Sequence, residues 1–380
     1  MGFSAVIVAA GSGSRAGGAK QWRPLAGHPV VRWSVQALLD AGADEAVVVI
    51  PAGAEAELAA ALDGLTGWRA VTGGATRAAS VQAGLAALSC SPDQPVLIHD
   101  AARPLVSGEV IARLLAALDD ADGALPGLAV ADSLRKSDGD VIGESVDRDG
   151  LIRAQTPQAF RRAVIETAHA AWTGVEPPTD EAEAVRAHGG RVVVAPGDPR
   201  LMKLTFPEDF AMAEALIPRR THVGMGFDAH RWGPGGSVWL CGVEIAHDQT
   251  LIGHSDADAG LHALTDAILG AIGDGDIGDH FPPTDPQWKG ASSDRFLAHA
   301  AGLVTARGGR IVNVDVTLIC ERPKVKPHRQ AMRERLATLL DLPLTAVGVK
   351  ATTTEAMGFT GRGEGLAAQA VATVELPVTA

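Results

Sequence analysis

The chain has 380 residues, enough for two domains with full hydrophobic cores. Its formal net charge of −12, without any run of lysine and arginine, argues against nucleic-acid binding and implies that a phosphorylated ligand would be held by a few placed cations. Its three cysteines are too far apart for a disulfide framework or a CxxC metal knuckle. Because no apolar run approaches the roughly 20 residues that span a bilayer and no signal pattern opens the chain, we expect a cytoplasmic protein without a membrane partner.

A β-branched run at residues 3–10 opens the chain, as is typical of a buried parallel strand, and leads into the glycine-rich sequence GSGSRAGGAK. A helix is predicted next, at 29–39, and this order of strand, glycine loop and helix is how α/β proteins bind phosphate groups. Further strands are predicted at 46–50, 68–72, 96–99 and 191–195, with helices at 77–88 and 108–118. This alternation predicts a doubly wound sheet.

The glycine-rich loop by itself leaves two classes of enzyme open. Gly11, Gly13 and Ala16 satisfy the dinucleotide fingerprint, which would fit an NAD-dependent oxidoreductase. Against that interpretation, no acidic residue ends the second strand to hold a ribose hydroxyl. A P-loop is excluded because no Gly-Lys-Ser/Thr follows. Arg15 and Lys20 place two cations in the loop, which suits the charge that grows on a phosphoryl group during transfer.

Residues 129–156 depart from the alternation of strands and helices. Asp138-Gly139 and Asp149-Gly150 lie between short β-like runs, and both pairs are predicted to be hairpin turns. We interpret this segment as an arm that projects from the sheet and is suited to contact a partner subunit.

Polar stretches also follow predicted strand ends, at 73–80, 99–104 and 179–181. An aspartate at the carboxyl end of a central strand, such as Asp100, is well placed to hold Mg²⁺ against a triphosphate. A turn, an ion pair or a helix cap would explain each stretch alone, but together they favour a nucleotide site.

Five motifs in this half occur in a specific order: AAGSGSRAGGAKQ, GGATRAASVQAGL, HDAARPLV, SVDRDGL with TPQAF, and TDEA with MKLTFPEDF. In that order they resemble 2-C-methyl-D-erythritol 4-phosphate cytidylyltransferase over residues 1–217. The resemblance implies a Rossmann-like nucleotidyltransferase fold that condenses CTP, carried with Mg²⁺, with methylerythritol phosphate and releases pyrophosphate. Arg15 and Lys20 would stabilise the transition state, although their loop is shorter than is usual in the family, and Arg148 and Lys203 would position the sugar phosphate. The remaining matched positions are Ala10, Gly74 and Ser80 around the cytosine, and Asp100 and Arg103 on the sugar-phosphate and metal side.

After a short linker at 218–220, a second domain is predicted over residues 221–380. Its first strand leads to Asp228 and His230, a D-x-H pair whose side chains point to one side of an extended segment. On the helix that follows, Asp258, His262 and Asp266 are four apart and share one face. Asp228, His230 and His262 would give a metal two nitrogens and one oxygen with a position open for substrate, and Asp266 would orient His262. In the alternative interpretation, His262 is a core histidine and Asp258 an acid at a helix start.

A polar loop at 273–285 is followed by predicted helices at 293–308 and 326–340 and by strands at 311–319, 346–350 and 366–376. The strand at 311–319 alternates cleanly, so one face of the sheet should be covered. The loops at 351–355 and 361–365 offer hydroxyls, a carboxylate and a cation to a phosphate chain.

The second half carries another ordered set of motifs: FDAH, LIGHSDADAGLHALTDAILG, GDIGDHFPPTD, NVDVTLICERPKVKPH and VKATTTEAMGFTGRGEG. These resemble 2-C-methyl-D-erythritol 2,4-cyclodiphosphate synthase. The resemblance implies an α+β domain with a four-stranded sheet and helices on one face, a homotrimer with sites between subunits, and a divalent metal, zinc or Mn²⁺/Mg²⁺, on Asp228, His230 and His262. His254 and Thr353 would stabilise the transition state, and Glu355 would hold a second ion, Mg²⁺ or Mn²⁺, on the diphosphate. The substrate would contact Ser255, Asp276, Ile277, Gly278, Thr352, Thr354, Glu355, Phe359 and Arg362.

Taken together, the two resemblances predict a bifunctional enzyme of isoprenoid-precursor biosynthesis. It would make the cytidylylated methylerythritol and cyclise the 2-phosphate of that product with release of CMP; the intervening kinase is absent because no kinase loop remains unassigned. Two alternatives stay open: an NAD-dependent oxidoreductase fused to a metal hydrolase, and a nucleotide-sensing module that binds CTP without turnover. We also expect a homo-oligomer, trimeric through the second domain, with a dimeric contact through the arm.

Overall fold

The computed structural model describes residues 2–11, 13, 18–282, 285, 288 and 290–378. Two compact units make up the chain, and the division lies between Ile217 and Pro218. None of the helices in these described ranges has the length and apolar character needed to cross a bilayer.

Strands and helices alternate through most of the first unit. Its helices are α1 Val30–Asp40, α2 Glu55–Ala61, α3 Arg77–Ala87, α4 Gly108–Ala117, α5 Arg162–Ala170, α6 Glu181–Ala187 and α7 Glu208–Leu216. Its strands are β1 Phe3–Val8, β2 Pro24–Leu25, β3 His28–Pro29, β4 Ala43–Ile50, β5 Trp68–Thr72, β6 Pro95–Asp100, β7 Gly123–Ala129, β8 Leu134–Asp138, β9 Val141–Val146, β10 Ile152–Ala154, β11 Gln158–Arg161 and β12 Val192–Pro196.

A parallel block of four strands forms one half of the main sheet, in the order β5, β4, β1, β6. The chain runs outward from β1 through β4 to β5 and then crosses back to β6 on the other side of β1. In α/β sheets, a reversal of this kind opens a crevice at the carboxyl ends of the two central strands, where ligands bind. Val8 at the end of β1 pairs with Asp100 at the end of β6, so the crevice lies beside Asp100.

Beyond β6 the sheet becomes mixed. Strand β11 pairs antiparallel with β6 and β7, β10 pairs antiparallel with the far end of β7, and β12 pairs parallel with β7. These four strands extend the sheet to eight.

The predicted arm is a separate two-stranded sheet of β8 and β9, closed by the turn at Asp138-Gly139. Its apolar side chains face solvent: Val141 is 63% and Ile142 72% exposed. The hairpin predicted at Asp149-Gly150 is wrong. A turn does form there, with Gly150 at φ 77, but the chain continues into β10 and pairs with β7 of the main sheet. The local turn signal could not reveal that distant partner.

The second unit is a sheet covered by helices. Its helices are α8 Ala259–Ala271, α9 Ile277–His280, α10 Asp294–Ala306, α11 Arg329–Leu340 and α12 Gly358–Gly361. Its strands are β13 Arg219–Pro234, β14 Ser237–Leu240, β15 Val243–Ala246, β16 Gln249–Ile252, β17 Arg310–Ile319, β18 Val347–Thr352 and β19 Gly365–Pro377.

Four long strands form the body of this sheet, in the order β13, β19, β17, β18, and the short β16 adds a fifth strand at the edge beside β13. Helix α8 packs closely on β13. A Cβ added at Gly226 would lie only 2.0 Å from the Ala263 carbonyl oxygen, so glycine is needed at this contact. On the opposite face of the same strand, Val223, Met225 and Phe227 are exposed. One face of the sheet is therefore covered within the chain, and the other presents an apolar row.

Candidate active sites

In the first unit, Asp100 lies at the end of β6 with both carboxylate oxygens engaged. Arg77 Nε donates to Oδ1 at 3.0 Å, and Lys203 Nζ donates to Oδ2 at 2.7 Å. Burial alone would raise the pKa of Asp100, but the two cations outweigh it and hold the pKa well below its usual range. The carboxylate is therefore ionised and fixes the position of the Lys203 amine.

Arg77 extends this ion-pair network to helix α6. Its guanidinium donates from two nitrogens to the two oxygens of Glu181, at 2.8 and 3.0 Å, and Glu181 is only 1% exposed. Burial would lower the pKa of Arg77, but Asp100 and Glu181 together raise it. Sequence reasoning placed both residues in stretches that favour a nucleotide site, Arg77 in the GGATRAAS motif and Glu181 in the TDEA motif, but it gave neither a role and did not predict that they pair.

Behind Asp100, a buried histidine locks the strand end. Thr156 Oγ1 accepts the Asp100 N–H at 3.0 Å and donates its own proton to His99 Nδ1 at 3.1 Å. The other ring nitrogen, Nε2, donates to the Arg103 carbonyl at 3.0 Å. Burial lowers the pKa of His99 to about 4, so the ring is neutral near pH 7. Arg103 itself donates to the Leu201 carbonyl at 2.6 Å.

The three positions predicted around the cytosine lie together. The Gly74 N–H donates to Ser80 Oγ at 3.2 Å, and the Ser80 hydroxyl donates to the Thr76 carbonyl at 2.9 Å. A Cβ at Gly73 would lie 2.7 Å from Ala10 Cβ and 2.8 Å from Ser80 Oγ. The segment after β1 and the start of α3 therefore approach each other so closely at Gly73 that no residue larger than glycine fits between them.

The predicted cations of this unit are placed differently from one another. Arg15 lies outside the described residues. Lys20 Nζ donates to the Leu204 carbonyl oxygen at 2.6 Å, and Leu204 directly follows Lys203 in the sequence. Arg148 donates to the Ala131 carbonyl at the base of the arm, and among the described residues no hydrogen bond joins it to Lys203 or Asp100.

In the second unit, three side chains from two elements converge. Asp228 and His230 extend from β13 and His262 from α8, and one donor atom from each lies within 4.8 Å of the others. Asp228 Oδ2 lies 2.8 Å from His230 Nε2 and 2.9 Å from His262 Nδ1. Two imidazoles and a carboxylate at this spacing fit a divalent metal, with a further coordination position left for substrate.

The charges of the cluster agree with that fit. Burial would raise the pKa of Asp228, but its hydrogen bonds with both histidines outweigh it and lower the pKa. For His230, burial opposes protonation, but the bond to Asp228 raises the pKa. The lowered pKa of Asp228 and the raised pKa of His230 both show that the cluster favours positive charge beside the carboxylate, where a metal cation would lie.

The two acidic residues on either side of His262 hold other groups. Asp258 is the N-cap of α8 and accepts the backbone N–H groups of Leu261, Cys241 and Gly242 at 2.6 to 3.0 Å. Asp266 accepts the Ile277 N–H at 2.8 Å and so anchors the loop, whereas the atoms bonded to His262 Nε2 are the hydroxyls of Ser255 and Ser293. The helix-cap interpretation therefore holds for Asp258, and serine hydroxyls take the place that was predicted for Asp266.

The predicted substrate loops are ordered by their own polar groups. Asp276 accepts the Gly278 N–H at 2.8 Å and caps α9, which fixes Ile277 beside Asp266. Thr353 Oγ1 donates to Glu355 at 2.8 Å, and Thr354 Oγ1 donates to the Met357 carbonyl at 2.6 Å. The remaining predicted residues, His254, Thr352, Phe359 and Arg362, are all exposed.

Similarity to known proteins divides the chain in the same way. A family model described as 2-C-methyl-D-erythritol 4-phosphate cytidylyltransferase matches residues 3–219, and one described as YgbB family matches residues 221–375. A Caulobacter vibrioides protein named bifunctional enzyme IspD/IspF is 69% identical over 382 residues, covering 99% of this chain and 100% of its own. An Erythrobacter litoralis protein of the same name is 54% identical, covering 98% and 96%. The solved structure of the bifunctional IspDF from Campylobacter jejuni is 33% identical with a TM-score of 0.51, covering 99% of both chains.

Proposed function

This chain belongs to the family of bifunctional IspD/IspF enzymes of isoprenoid biosynthesis, and from that premise we propose how its residues divide the two reactions. Residues 1–217 transfer CMP from CTP to 2-C-methyl-D-erythritol 4-phosphate and release pyrophosphate. Residues 221–380, beyond the linker at 218–220, close 4-diphosphocytidyl-2-C-methyl-D-erythritol 2-phosphate to the 2,4-cyclodiphosphate and release CMP. We place both reactions in the cytoplasm, because their substrates are charged phosphates and one of them, CTP, is a cytoplasmic nucleotide.

In the transferase, a phosphate oxygen of methylerythritol phosphate attacks the α-phosphorus of CTP as the bond to pyrophosphate breaks. Lys203, held at 2.7 Å by Asp100, has the fixed amine that orients the attacking phosphate. Arg103 adds positive charge on the same side, while Ala10, Gly74 and Ser80 leave room for the cytosine. Arg15 and Lys20 stabilise the charge that grows at the α-phosphate, and CTP brings Mg²⁺ bound to its phosphates.

The arm supplies Arg148 to the same sugar phosphate through a contact between two copies of the chain. Two observations support this dimer. Arg148 bonds to the base of its own arm rather than to Lys203, and the arm exposes Val141 and Ile142. A contact that covers these side chains would bring the guanidinium to a neighbouring site.

In the synthase, the 2-phosphate oxygen attacks the β-phosphorus and the bond to CMP breaks. Asp228, His230 and His262 would hold a divalent metal, zinc or Mn²⁺/Mg²⁺, which would supply Lewis-acid polarisation of a phosphate oxygen. His254 and Thr353 stabilise the transition state, and Glu355 would hold a second ion, Mg²⁺ or Mn²⁺, for the diphosphate. Asp276, Ile277 and Gly278 contact the erythritol. Ser255, Thr352, Thr354, Phe359 and Arg362 complete the substrate contacts.

The apolar row on β13 supports a homotrimer through the second unit. Val223, Met225 and Phe227 are 66%, 63% and 55% exposed, on the sheet face that the described helices of this unit leave uncovered. A contiguous apolar row of this kind marks an interface. Trimerisation would bury it and build the synthase sites between subunits.

The cluster of Asp228, His230 and His262 is the observation that carries the proposal, and it is tested by separating the two reactions. With CTP, Mg²⁺ and methylerythritol phosphate, pyrophosphate should be released. With the cytidyl diphosphate substrate, CMP should be released, should fall after chelation, and should return with zinc. CTP binding without pyrophosphate release would instead support a sensing module. A gain in stability with NAD would support the oxidoreductase.

A further inference from the structure

The two ring nitrogens of His262 have different surroundings. Nδ1 lies 2.9 Å from Asp228 Oδ2 and 3.1 Å from His230 Nε2, on the side of the proposed metal. Nε2 lies 2.8 Å from Ser293 Oγ and 3.1 Å from Ser255 Oγ. Ser293 is completely buried, so its hydroxyl has no water to exchange with. What this hydroxyl does with its single proton therefore decides the state of the ring.

Asp256 fixes that proton. One of its carboxylate oxygens accepts the Ser293 hydroxyl, and the other accepts the Ser293 backbone N–H at 3.0 Å. A carboxylate at neutral pH only accepts, so the hydroxyl proton is committed to Asp256. Ser293 Oγ can then only accept from the imidazole, which places the ring proton on Nε2. In the neutral ring the lone pair is then on Nδ1, the nitrogen that faces Asp228 and would bind the metal.

We propose that Asp256 and Ser293 are positioning residues for the metal site: through Ser293 they set the tautomer and the orientation of His262 so that its Nδ1 is ready to bind the metal. The inference rests on the proposed metal site and extends it to two residues that do not touch the metal. Outer partners of this kind raise the basicity of a ligating imidazole and hold its plane.

His230 provides an internal contrast. Nε2 of its ring faces Asp228, and the backbone of Ile252 is among the groups that raise the pKa of His230. A backbone group of this kind is not removed by substituting a side chain. The orientation of His262, in contrast, depends on side chains and is open to mutation.

The test is the zinc affinity of the full-length protein, measured by chelator competition after removal of metal. Ser293→Ala should weaken zinc binding by about 10-fold, the low end of the range for such partners, because Ser255 remains as a weaker acceptor. Removing both hydroxyls, in Ser255→Ala with Ser293→Ala, should approach about 100-fold. Asp256→Asn should also weaken binding, because its amide cannot accept from both the hydroxyl and the N–H of Ser293.

Ser292→Ala is the matched control, since the neighbouring Ser292 is exposed and bonds to Asp294 instead. It should bind zinc as the wild type does. Ser293→Ala removes a buried, hydrogen-bonded hydroxyl, so the metal-free variant should melt somewhat below the metal-free wild type, and zinc should raise the melting temperature of the variant less than that of the wild type. Cobalt in place of zinc should show a changed d–d absorption in the variant, which a distant packing defect would not produce.

The outcomes separate this inference from the metal site itself. If the wild type binds zinc and His262→Ala does not, yet Ser293→Ala and Asp256→Asn bind as tightly as the wild type, the positioning role is wrong and the metal site stands. If the wild type binds no divalent metal, both proposals fall. If zinc raised the melting temperature of Ser293→Ala as much as that of the wild type, the positioning role would likewise be wrong.

Discussion

An aspartate on a β-strand lies at the centre of both candidate sites, and its partners give it opposite roles. Asp100 is bonded to Arg77 and Lys203, two groups that only donate, so its charge is neutralised within the chain. Asp228 faces His230 and His262, whose rings can each offer a lone pair, so negative charge and lone pairs accumulate at one point. The first aspartate positions a cation that belongs to the protein, whereas the second and its two histidines fit a cation supplied from outside.

This contrast also bears on the expectation that Asp100 holds Mg²⁺. Among the described residues, the only group of three or more metal-ligating side chains is Asp228, His230 and His262. With Asp100 committed to two cations and no second carboxylate in such a group beside it, Mg²⁺ in the transferase is best carried by the CTP phosphates. We therefore propose that the two units use metals in different ways: in the first the metal arrives with the nucleotide, and in the second protein side chains bind it.

His262→Ala should break the contrast most completely. Loss of one imidazole removes a ligand and leaves Asp228 with a single histidine, so zinc content and CMP release should both be lost. Pyrophosphate release should be unchanged, because its groups lie in the other unit. Elemental analysis and the two product assays check this outcome. Full zinc content with full cyclisation would return His262 to the role of a core histidine.

The control for this variant is His188→Ala, an exposed histidine outside the resembling motifs, which should change neither product. His247 lies outside the resembling motifs, but it would be a poor control. Its ring stacks on Trp232 with centroids 4.8 Å apart, so its removal would open a packing defect.

Lys203→Ala should produce the next largest effect, now confined to the transferase. It removes the amine that Asp100 holds, and loss of one positioned donor of this kind lowers turnover by about 10²–10³. CMP release by the synthase should stay normal. Arg69→Ala, in the exposed Arg69–Glu45 pair away from the site and the arm, is the matched control and should leave both rates unchanged. Normal pyrophosphate release from the Lys203 variant would show that the Asp100 pair is only structural.

Local patterns in the sequence predicted what is local in the structure. The strand at Trp68–Thr72 was predicted to the residue, and the order of strands and helices around Asp100 followed from runs of buried side chains. Asp228, His230 and His262 were also predicted to act together, because a two-residue spacing on a strand and a helix face each leave a readable pattern.

What could not be predicted depends on partners far apart in the chain. Arg77 meets Glu181 over 104 residues, and Ser293 meets His262 over 31. Nothing in the spacing of GGATR and TDEA says that their charges pair. The hairpin predicted at Asp149-Gly150 is wrong for the same reason. The strand after this turn, β10, pairs with the distant β7 of the main sheet.

The smallest expected effect is a dependence of folding stability on pH. It arises in the first site, where the buried His99 is neutral in the folded protein. The pKa of His99 is about 4 in the folded protein, against about 6.5 for an unfolded chain. Between these values the unfolded state binds more protons, so folding stability is fully present above pH 6.5 and is lost as the pH falls towards 4. The loss amounts to about 3 kcal/mol at most. Hydrogen exchange of β6 peptides at pH 7 and pH 5 should show it as faster opening. In His99→Gln that difference between the two pH values should largely disappear, whatever the stability at pH 7, and an unchanged pH dependence would assign the effect to other groups.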